Sequence, residues 1–208
     1  MKWIHSLGIA FSMYSKIPVP KVRWTNEAMQ YTFCFFPLVG VAEGALLWGM
    51  GMVLYGLRDR NRLPAIFVAI VLTILPLLVT GGIHMDGFLD TTDARRSYQE
   101  PEKKLAILKD PHTGAFALIG LGVYLLWSVA VWSVADRAVL PGMACAFVLS
   151  RTLSGLSVTL CKGAKKDGLA AAFHKSARER AVCVSTVCYL VGCAGVLCLT
   201  SGVLILAL

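Results

Sequence analysis

The sequence predicts an all-α protein, a polytopic membrane helix bundle with about five transmembrane helices after a short N-terminal helix. Hydrophobic residues make up 57% of the 208 residues and charged residues only 15%, against about 25% charged residues in soluble domains. The mean hydropathy is +0.68, and a soluble domain of this size cannot bury that much apolar side chain. The length suits one integral membrane domain over residues 1–208, and the hydrophobicity excludes intrinsic disorder.

The first predicted element is a short interfacial or re-entrant helix over residues 3–15. Its apolar stretch is too short to cross a bilayer, which takes about 20 residues. His5 and Ser6 interrupt the stretch, and no small-residue cleavage site precedes Pro18 and Pro20, so the segment is not a secretory signal. We therefore expect the helix to lie at the membrane surface.

Five later segments have the length and apolar character that a spanning helix needs, about 20 residues each. Pro76 is expected to kink the second segment, whereas Pro64 and Pro141 lie near helix starts, where proline is tolerated. The predicted spans are residues 33–57, 63–83, 114–134, 138–160 and 181–207.

Lysine and arginine are concentrated in segments that would share one side of the membrane. With the N-terminus inside, fifteen of the 20 bases fall in the N-terminal segment, in residues 84–113 and in residues 161–180, and four fall on the other side. Because cytoplasmic loops are enriched in bases, we expect these three segments to be cytoplasmic. The bases lie in short loops between apolar runs, so the net charge of +8 does not indicate a nucleic-acid partner.

Half of the twelve acidic residues lie in the loop of residues 84–113. Asp86, Asp90 and Asp93 come where an apolar span meets the cytoplasm, and their i, i+4, i+7 spacing puts them on one face of a helix. Like charges on one face repel unless a cation neutralises them, and Mg²⁺ takes carboxylates together with substrate phosphates. The pattern predicts a magnesium site; the alternative is a solvated acidic helix start.

Three residues before these aspartates have two interpretations each. His84 could orient a carboxylate, ligate the metal or act as a base, or it could be a structural histidine at a helix boundary. Gly81 and Gly82 would let the backbone approach a ligand closely, or would simply end the preceding helix.

Lys109 and Asp110 precede the third span. Pro111 stops any earlier helix, and Thr113 is expected to cap the next one. A lysine beside a helix N-terminus suits a phosphate site. The alternative is that these residues only form the loop before the span and that Lys109 is one of the bases typical of cytoplasmic loops.

Glu43 and Arg151 are charged residues within the predicted spans, where such residues usually face a polar cavity or a partner. Arg151 could clamp a phosphate or snorkel to the interface. Glu43 could reach the metal or pair with a base.

These motifs resemble the cobalamin synthase family (adenosylcobinamide-GDP ribazoletransferases). The family signature G-G-x-H-x-D-G-x-x-D-x-x-D matches residues 81–93, and K-D-x-x-x-G-A-F matches residues 109–116. Weaker similarities lie at residues 15–20, 36–40, 150–151 and 168–173. The family commonly has glycine where Ala94 stands, and its members usually continue into another span with a G-G-x-T-G-D segment that this sequence does not contain.

The resemblance implies Mg²⁺-dependent joining of adenosylcobinamide-GDP and α-ribazole, or its 5′-phosphate, to give adenosylcobalamin, or its phosphate, plus GMP. The expected metal ligands are Asp86, Asp90, Asp93 and Glu43. The expected substrate-binding residues are Gly81, Gly82, Lys109, Asp110 and Arg151. The expected catalytic residues are His84 and Asp93, either of which could be the base.

The same resemblance implies a multi-pass protein of a bacterial or archaeal inner membrane. Its partners would be the lipid bilayer, an amphiphilic corrinoid nucleotide and α-ribazole, and a homo-oligomer stays open. One alternative is a lipid synthase resembling CDP-alcohol phosphotransferases, although the second half of that motif is missing. The other is a small transporter, although the sequence has no internal repeat of the kind many transporters show.

Overall fold

The computed structural model describes residues 2–163 and 168–206, and this part of the chain is helical without a strand. It confirms the predicted all-α class. The helices are α1 (Lys2–Tyr14), α2 (Asn26–Met29), α3 (Thr32–Asp59), α4 (Ala65–Thr80), α5 (Ile83–Arg96), α6 (Pro101–Ile107), α7 (Ala115–Val134), α8 (Leu140–Leu160), α9 (Leu169–Ser176) and α10 (Glu179–Leu206), with a single 3₁₀ turn at Arg137–Val139.

Four of the described helices are long and apolar enough to cross a membrane on their own: α3, α7, α8 with its 3₁₀ turn, and α10. The second predicted span differs from the expectation. Helix α4 has only 16 residues, and it is followed by α5 at an angle of 95°. Taken together, α4 and α5 give a fifth candidate, either a broken span or a re-entrant loop.

The sharp bend between α4 and α5 lies at a glycine pair, five residues after Pro76. Pro76 stays within α4, which continues to Thr80. Gly81 and Gly82 follow with φ values of 67° and 79°. A proline removes one helical hydrogen bond but keeps a helical φ, whereas two successive left-handed residues cannot continue a right-handed helix.

The chain divides into two compact units. The first unit contains residues 1–52 and 137–208, and the second contains residues 53–136. The predicted helix over residues 3–15 is confirmed as α1 of the first unit, where it packs on α2. Ser6 Oγ donates to the carbonyl oxygen of Ala28 at 2.8 Å, so this helix is fixed to the protein by buried contacts.

The core of the first unit combines buried side chains from five helices, α1, α2, α3, α9 and α10. Helices α8 and α10 pack along each other, and α9 packs on α8 and α2. The buried apolar side chains at the centre include Ile9, Phe33, Phe36, Phe173 and Val182.

Helices α3 and α8 approach within backbone contact in the first unit. A Cβ atom on Gly40 would lie 2.6 Å from the carbonyl oxygen of Phe147, and one on Gly44 would lie 2.9 Å from the Cα atom of Ala144. Small residues four positions apart permit such close crossings of membrane helices. The crossing brings Glu43 of α3 next to Arg151 of α8.

In the second unit α7 packs against both α4 and α5. Phe88 of α5 contacts Tyr124 of α7 with ring centroids 6.1 Å apart. A Cβ atom on Gly120 would lie 3.1 Å from Cγ2 of Thr92, so the missing side chain lets α5 lie close to α7.

Candidate active site

The Gly81–Gly82 elbow sets the direction of the helix that carries the aspartates. Gly81 ends α4, and its N–H donates to the carbonyl oxygen of Leu78 at 3.3 Å. Gly82 is the N-cap of α5, and its carbonyl oxygen accepts from the N–H of Asp86 at 2.8 Å. The left-handed φ at both positions is accessible to glycine at little cost. The elbow therefore turns α5 away from the axis of α4 within two residues.

Asp93 fixes α5 to the start of α7. Its Oδ2 accepts from the N–H of Gly114 at 2.6 Å, and its Oδ1 accepts from the N–H of Ala117 at 2.8 Å. The first N–H groups of a helix have no partner within the helix, and a carboxylate there also suits the helix dipole. Both oxygens of Asp93 thus cap α7.

Gly114 makes room for this carboxylate. A Cβ atom at Gly114 would lie 2.6 Å from Oδ2 of Asp93 and 2.7 Å from Oδ1. Gly114 is itself the N-cap residue, and it has no side chain that could cap the helix. The expectation that Thr113 caps this helix was wrong, because a carboxylate from a residue 21 positions earlier takes that place.

Asp86 and Asp90 lie one turn apart on α5 and differ from Asp93 in their surroundings. Asp86 is exposed and Asp90 is half-buried. Within the described part of the chain neither carboxylate has a hydrogen-bond or ion-pair partner. The described residues contain no group of three or more His, Cys, Asp or Glu side chains that could hold a metal ion. Asp86 and Asp90 are therefore the carboxylates of α5 that remain available to bind a ligand.

His84 lies in the first turn of α5, two residues before Asp86. The residue is half-buried, and its Nε2 is shielded from solvent.

Lys109 and Asp110 lie in the exposed connection between α6 and α7. Oδ1 of Asp110 accepts from the N–H of His112 at 2.9 Å and lies 2.7 Å from Nδ1 of the same residue. The hydrogen bond from the His112 backbone, followed by that from its side chain, lowers the pKa of Asp110. Asp110 thus stabilises the conformation of the loop through its contacts with His112. The side chain of Lys109 is exposed. Sequence reasoning missed His112, because no spacing rule marks it as the partner of Asp110.

Glu43 and Arg151 belong to the first unit, where they bind each other. Nη2 of Arg151 lies 2.5 Å from Oε2 of Glu43, and both side chains are buried. Nε of Arg151 is buried as well and has no hydrogen-bond partner among the described residues. The other eight predicted site residues, Gly81, Gly82, His84, Asp86, Asp90, Asp93, Lys109 and Asp110, belong to the second unit.

Comparison with known proteins supports the motif-based resemblance. Residues 6–208 match the cobalamin-5-phosphate synthase family. A protein of Lachnoclostridium phytofermentans named adenosylcobinamide-GDP ribazoletransferase is 48% identical over 191 residues, which cover 92% of this chain and 72% of that protein. A protein of the same name from Desulfitobacterium hafniense is 32% identical over 86% of this chain and 70% of its own length.

A third relative of that name, from Clostridium perfringens, is 35% identical over 58% of this chain and 47% of its own length. No solved structure is significantly similar to the chain. The family match extends over nearly the whole sequence, and it includes both the aspartate-bearing helix α5 and the ion-paired spans α3 and α8. The chain therefore belongs to the cobalamin-5-phosphate synthase family.

Proposed function

We propose that the chain is an adenosylcobinamide-GDP ribazoletransferase that works on the α5 face of the second unit. Two relatives with that name match most of both chains. The structural observation that carries the proposal is the contrast along α5. Asp93 is committed to capping α7, whereas Asp86 and Asp90 stand one turn apart with no partner in the described residues.

The donor set fits a magnesium ion that is shared with a substrate. Two carboxylates at i and i+4 on a helix have Cβ atoms about 5–6 Å apart, and Mg²⁺ usually takes one or two carboxylates, waters and substrate phosphate oxygens. Asp86 and Asp90 would hold the ion, and Asp93 would not. When bound, the ion would neutralise charge on the pyrophosphate.

The proposed reaction exchanges one phosphorus–oxygen bond for another. A ribose hydroxyl of α-ribazole, or of its 5′-phosphate, attacks the phosphorus that carries the cobinamide group. The new ester bond forms as the bond between this phosphorus and the bridging pyrophosphate oxygen breaks. GMP leaves with that oxygen, and the hydroxyl proton passes to a base. Such transfers depend mainly on positioning and electrostatics.

The remaining residues of the second unit have separate proposed tasks. The exposed ammonium of Lys109 would bind a phosphate oxygen of the nucleotide, beside the N-terminus of α7. His84 is the proposed base, because it lies in the first turn of α5, two residues before the proposed metal ligand Asp86. We place this face on the cytoplasmic side of the membrane, where the bases of residues 84–113 support it.

Arg151 takes a different proposed role from the one its position in the sequence suggests. Its guanidinium is paired with Glu43 inside the first unit. We propose that the pair fixes α3 against α8 and that it binds neither the phosphate nor the metal.

The test is GMP release from adenosylcobinamide-GDP by the purified protein in detergent, with α-ribazole or its 5′-phosphate as acceptor. Asp86→Asn and Asp90→Asn should each reduce the rate at least ~100-fold, because each removes one of two metal-binding charges, and should raise the Mg²⁺ concentration for half-maximal rate. Glu102→Gln is the matched control, because it removes an exposed acid from the neighbouring α6, and its rate should equal the wild-type rate. Near-normal activity of both asparagine variants would refute the site, and CMP release from a CDP-alcohol would indicate a lipid synthase.

A further inference from the structure

A groove of about 440 Å³ opens on the first unit, where α3 and α10 begin beside α1. We call it the N-terminal groove. Trp3, Tyr31, Cys34, Arg180 and Val184 line it, and its exposed lining is almost entirely apolar. Val184 is 64% exposed and Trp3 is 48% exposed. The groove therefore offers an apolar surface for a hydrocarbon chain at the N-terminal ends of α3 and α10, two helices that can span a membrane.

Three basic residues, Lys2, Arg178 and Arg180, line this groove or contact its aromatic side chains. Nζ of Lys2 lies 5.5 Å from the ring centroid of Trp3 and 5.4 Å from that of Tyr31. Nη1 of Arg178 donates to the hydroxyl of Tyr31 at 2.7 Å, and Arg180 lines the groove itself. In residues 2–163 and 168–206, no carboxylate lies within 4.0 Å of any of these three bases.

The position of the groove in the fold indicates which class of ligand would fit it. Both α3 and α10 are candidate spans, and both begin beside the groove. Its rim therefore lies where spanning helices leave the hydrocarbon, the depth at which tryptophan, tyrosine and basic side chains meet lipid headgroups. A basic pocket between spanning helices at this depth suits an anionic headgroup.

We propose that the N-terminal groove binds an anionic phospholipid of the surrounding bilayer. One acyl chain lies along Val184 and the aromatic rings, and the phosphate interacts with Lys2, Arg178 and Arg180. The apolar lining suits a hydrocarbon portion of the ligand, and three bases with no carboxylate beside them in the described residues favour an anion. The proposed lipid site uses none of the residues that we assign to the reaction.

Native mass spectrometry of the full chain in detergent measures the binding directly. Titration with palmitoyl-oleoyl-phosphatidylglycerol should give one tightly retained lipid. Each base near an anionic surface contributes about 1 kcal/mol, or about a factor of five in affinity, so the phosphatidylcholine with the same chains should be retained at least ~10-fold more weakly. Lys2→Gln and Arg180→Gln should each weaken binding by about that factor of five. The control Lys16→Gln removes an exposed base that does not line the groove, and it should change nothing.

A second pair of variants tests the hydrocarbon portion. Val184→Trp should fill the groove and abolish retention of the lipid, whereas Val191→Trp adds the same side chain two turns along α10, outside the groove. Both positions are exposed, by 64% and 66%, so neither replacement disturbs the core.

Equal retention of both lipids, unchanged binding in the glutamine variants, or full retention by Val184→Trp would each overturn the proposal. Displacement of the lipid by glycerol 1-phosphate would overturn it in favour of a site for a free phosphate ester. A lipid-free dimer that Val184→Trp converts to monomer would overturn it in favour of a second copy of the chain.

Discussion

At the scale of single residues, the aspartates of α5 combine a structural role, which Asp93 has, with the chemical role that we propose for Asp86 and Asp90. Asp93 directs both oxygens at N–H groups of α7, and Asp86 and Asp90 keep theirs available. The cap holds α5 across the start of α7, so the position of the other two carboxylates depends on it. Loss of the cap should therefore lower the free energy of unfolding, with at most a small, indirect effect on the proposed magnesium site.

Asp93→Asn should lower stability and leave metal affinity largely unchanged. The amide keeps one acceptor oxygen, but it turns an NH₂ group toward a backbone N–H and removes the charge. A hydrogen bond to a charged group contributes about 1.5–3 kcal/mol. The measurement is thermal unfolding in detergent beside the Mg²⁺ titration of GMP release. If the half-maximal Mg²⁺ concentration rises as much as in Asp86→Asn while the melting temperature stays constant, Asp93 is a ligand.

Gly114→Ala provides an independent check of the same contact. The new methyl would occupy the space of the Asp93 carboxylate, 2.6 Å from Oδ2. We expect it to destabilise the protein to a similar extent. The double variant Asp93→Asn/Gly114→Ala should be less destabilised than the sum of the two, because both changes break one interaction. Additive losses would mean that the two residues act separately.

The Glu43–Arg151 pair should behave as a buried ion pair. Arg151→Met leaves the Glu43 carboxylate buried without a partner, which costs about 3–5 kcal/mol in proteins. Glu43→Leu/Arg151→Met removes both charges and should recover most of the melting temperature of the wild type. A stable Arg151→Met variant with weak binding of adenosylcobinamide-GDP would instead support the phosphate clamp that the sequence suggests.

At the scale of helices, the crossing of α3 and α8 depends on glycines that meet backbone atoms. Gly40 faces the carbonyl group of Phe147, and Gly44 faces Ala144. Backbone atoms cannot rotate away as a flexible side chain can. The crossing is what places Glu43 and Arg151 within bonding distance.

Gly40→Ala should therefore destabilise the first unit by about 1–3 kcal/mol through overpacking. A Cβ atom on Gly49 of the same helix would meet no other atom within 4 Å among the described residues, so Gly49→Ala is the matched control. It should be neutral or stabilising by up to about 1 kcal/mol, because alanine has the higher helix propensity. Equal melting temperatures of the two variants would contradict the tight crossing.

Helix boundaries followed from the sequence wherever hydrophobicity decided them. The predicted spans 33–57, 114–134 and 138–160 lie within a few residues of α3, α7 and α8. The span 63–83 did not, because its last residues include two glycines whose φ values of 67° and 79° leave no mark on hydropathy. The break between α4 and α5 thus comes from the backbone conformation of the two glycines, which a hydropathy pattern does not reveal.

The residue types of the candidate site were predictable from the sequence, but the contacts between those residues were not. The i, i+4 spacing of Asp86 and Asp90 follows from helix geometry alone. The contacts of Asp93 with Gly114 and of Glu43 with Arg151 join residues 21 and 108 positions apart. Such contacts depend on how helices pack, which the pattern along one helix does not specify. A glycine directly before an apolar run, as at Gly114, is the one local signal of the cap.

At the scale of the whole molecule, the contacts within the first unit constrain the number of membrane crossings. Helix α2 contacts α9, and the N–H of Arg178 donates to the carbonyl oxygen of Gln30 at 3.0 Å. The N-terminal segment and the segment before α10 therefore lie at one end of this unit. If α3, α7 and α8 each cross once, three crossings would leave those segments on opposite sides. A fourth crossing is required, and among the described helices α4 with α5 is the candidate that remains.

An even number of crossings before α10 predicts a five-span topology in which the α4–α5 pair crosses the membrane as a broken span. In a cysteine-free background, single cysteines at the exposed positions Glu100, Lys175 and Arg60 can be treated with an impermeant maleimide on intact cells. Glu100→Cys and Lys175→Cys should stay unlabelled until the cells are opened, since fifteen of the 20 bases lie on their side. Arg60→Cys should label at once, because one crossing separates it from the N-terminus.

A re-entrant α4–α5 pair would give a different pattern. Positions 60 and 100 would then react together, since the chain between them would return to the side from which it came. Lys175→Cys would become accessible as well if only α3, α7 and α8 crossed. Unlabelled Lys175→Cys alongside labelled Arg60→Cys is compatible with the parity of four crossings, and labelling of Glu100→Cys from outside would remove the proposed active site from the cytoplasmic face.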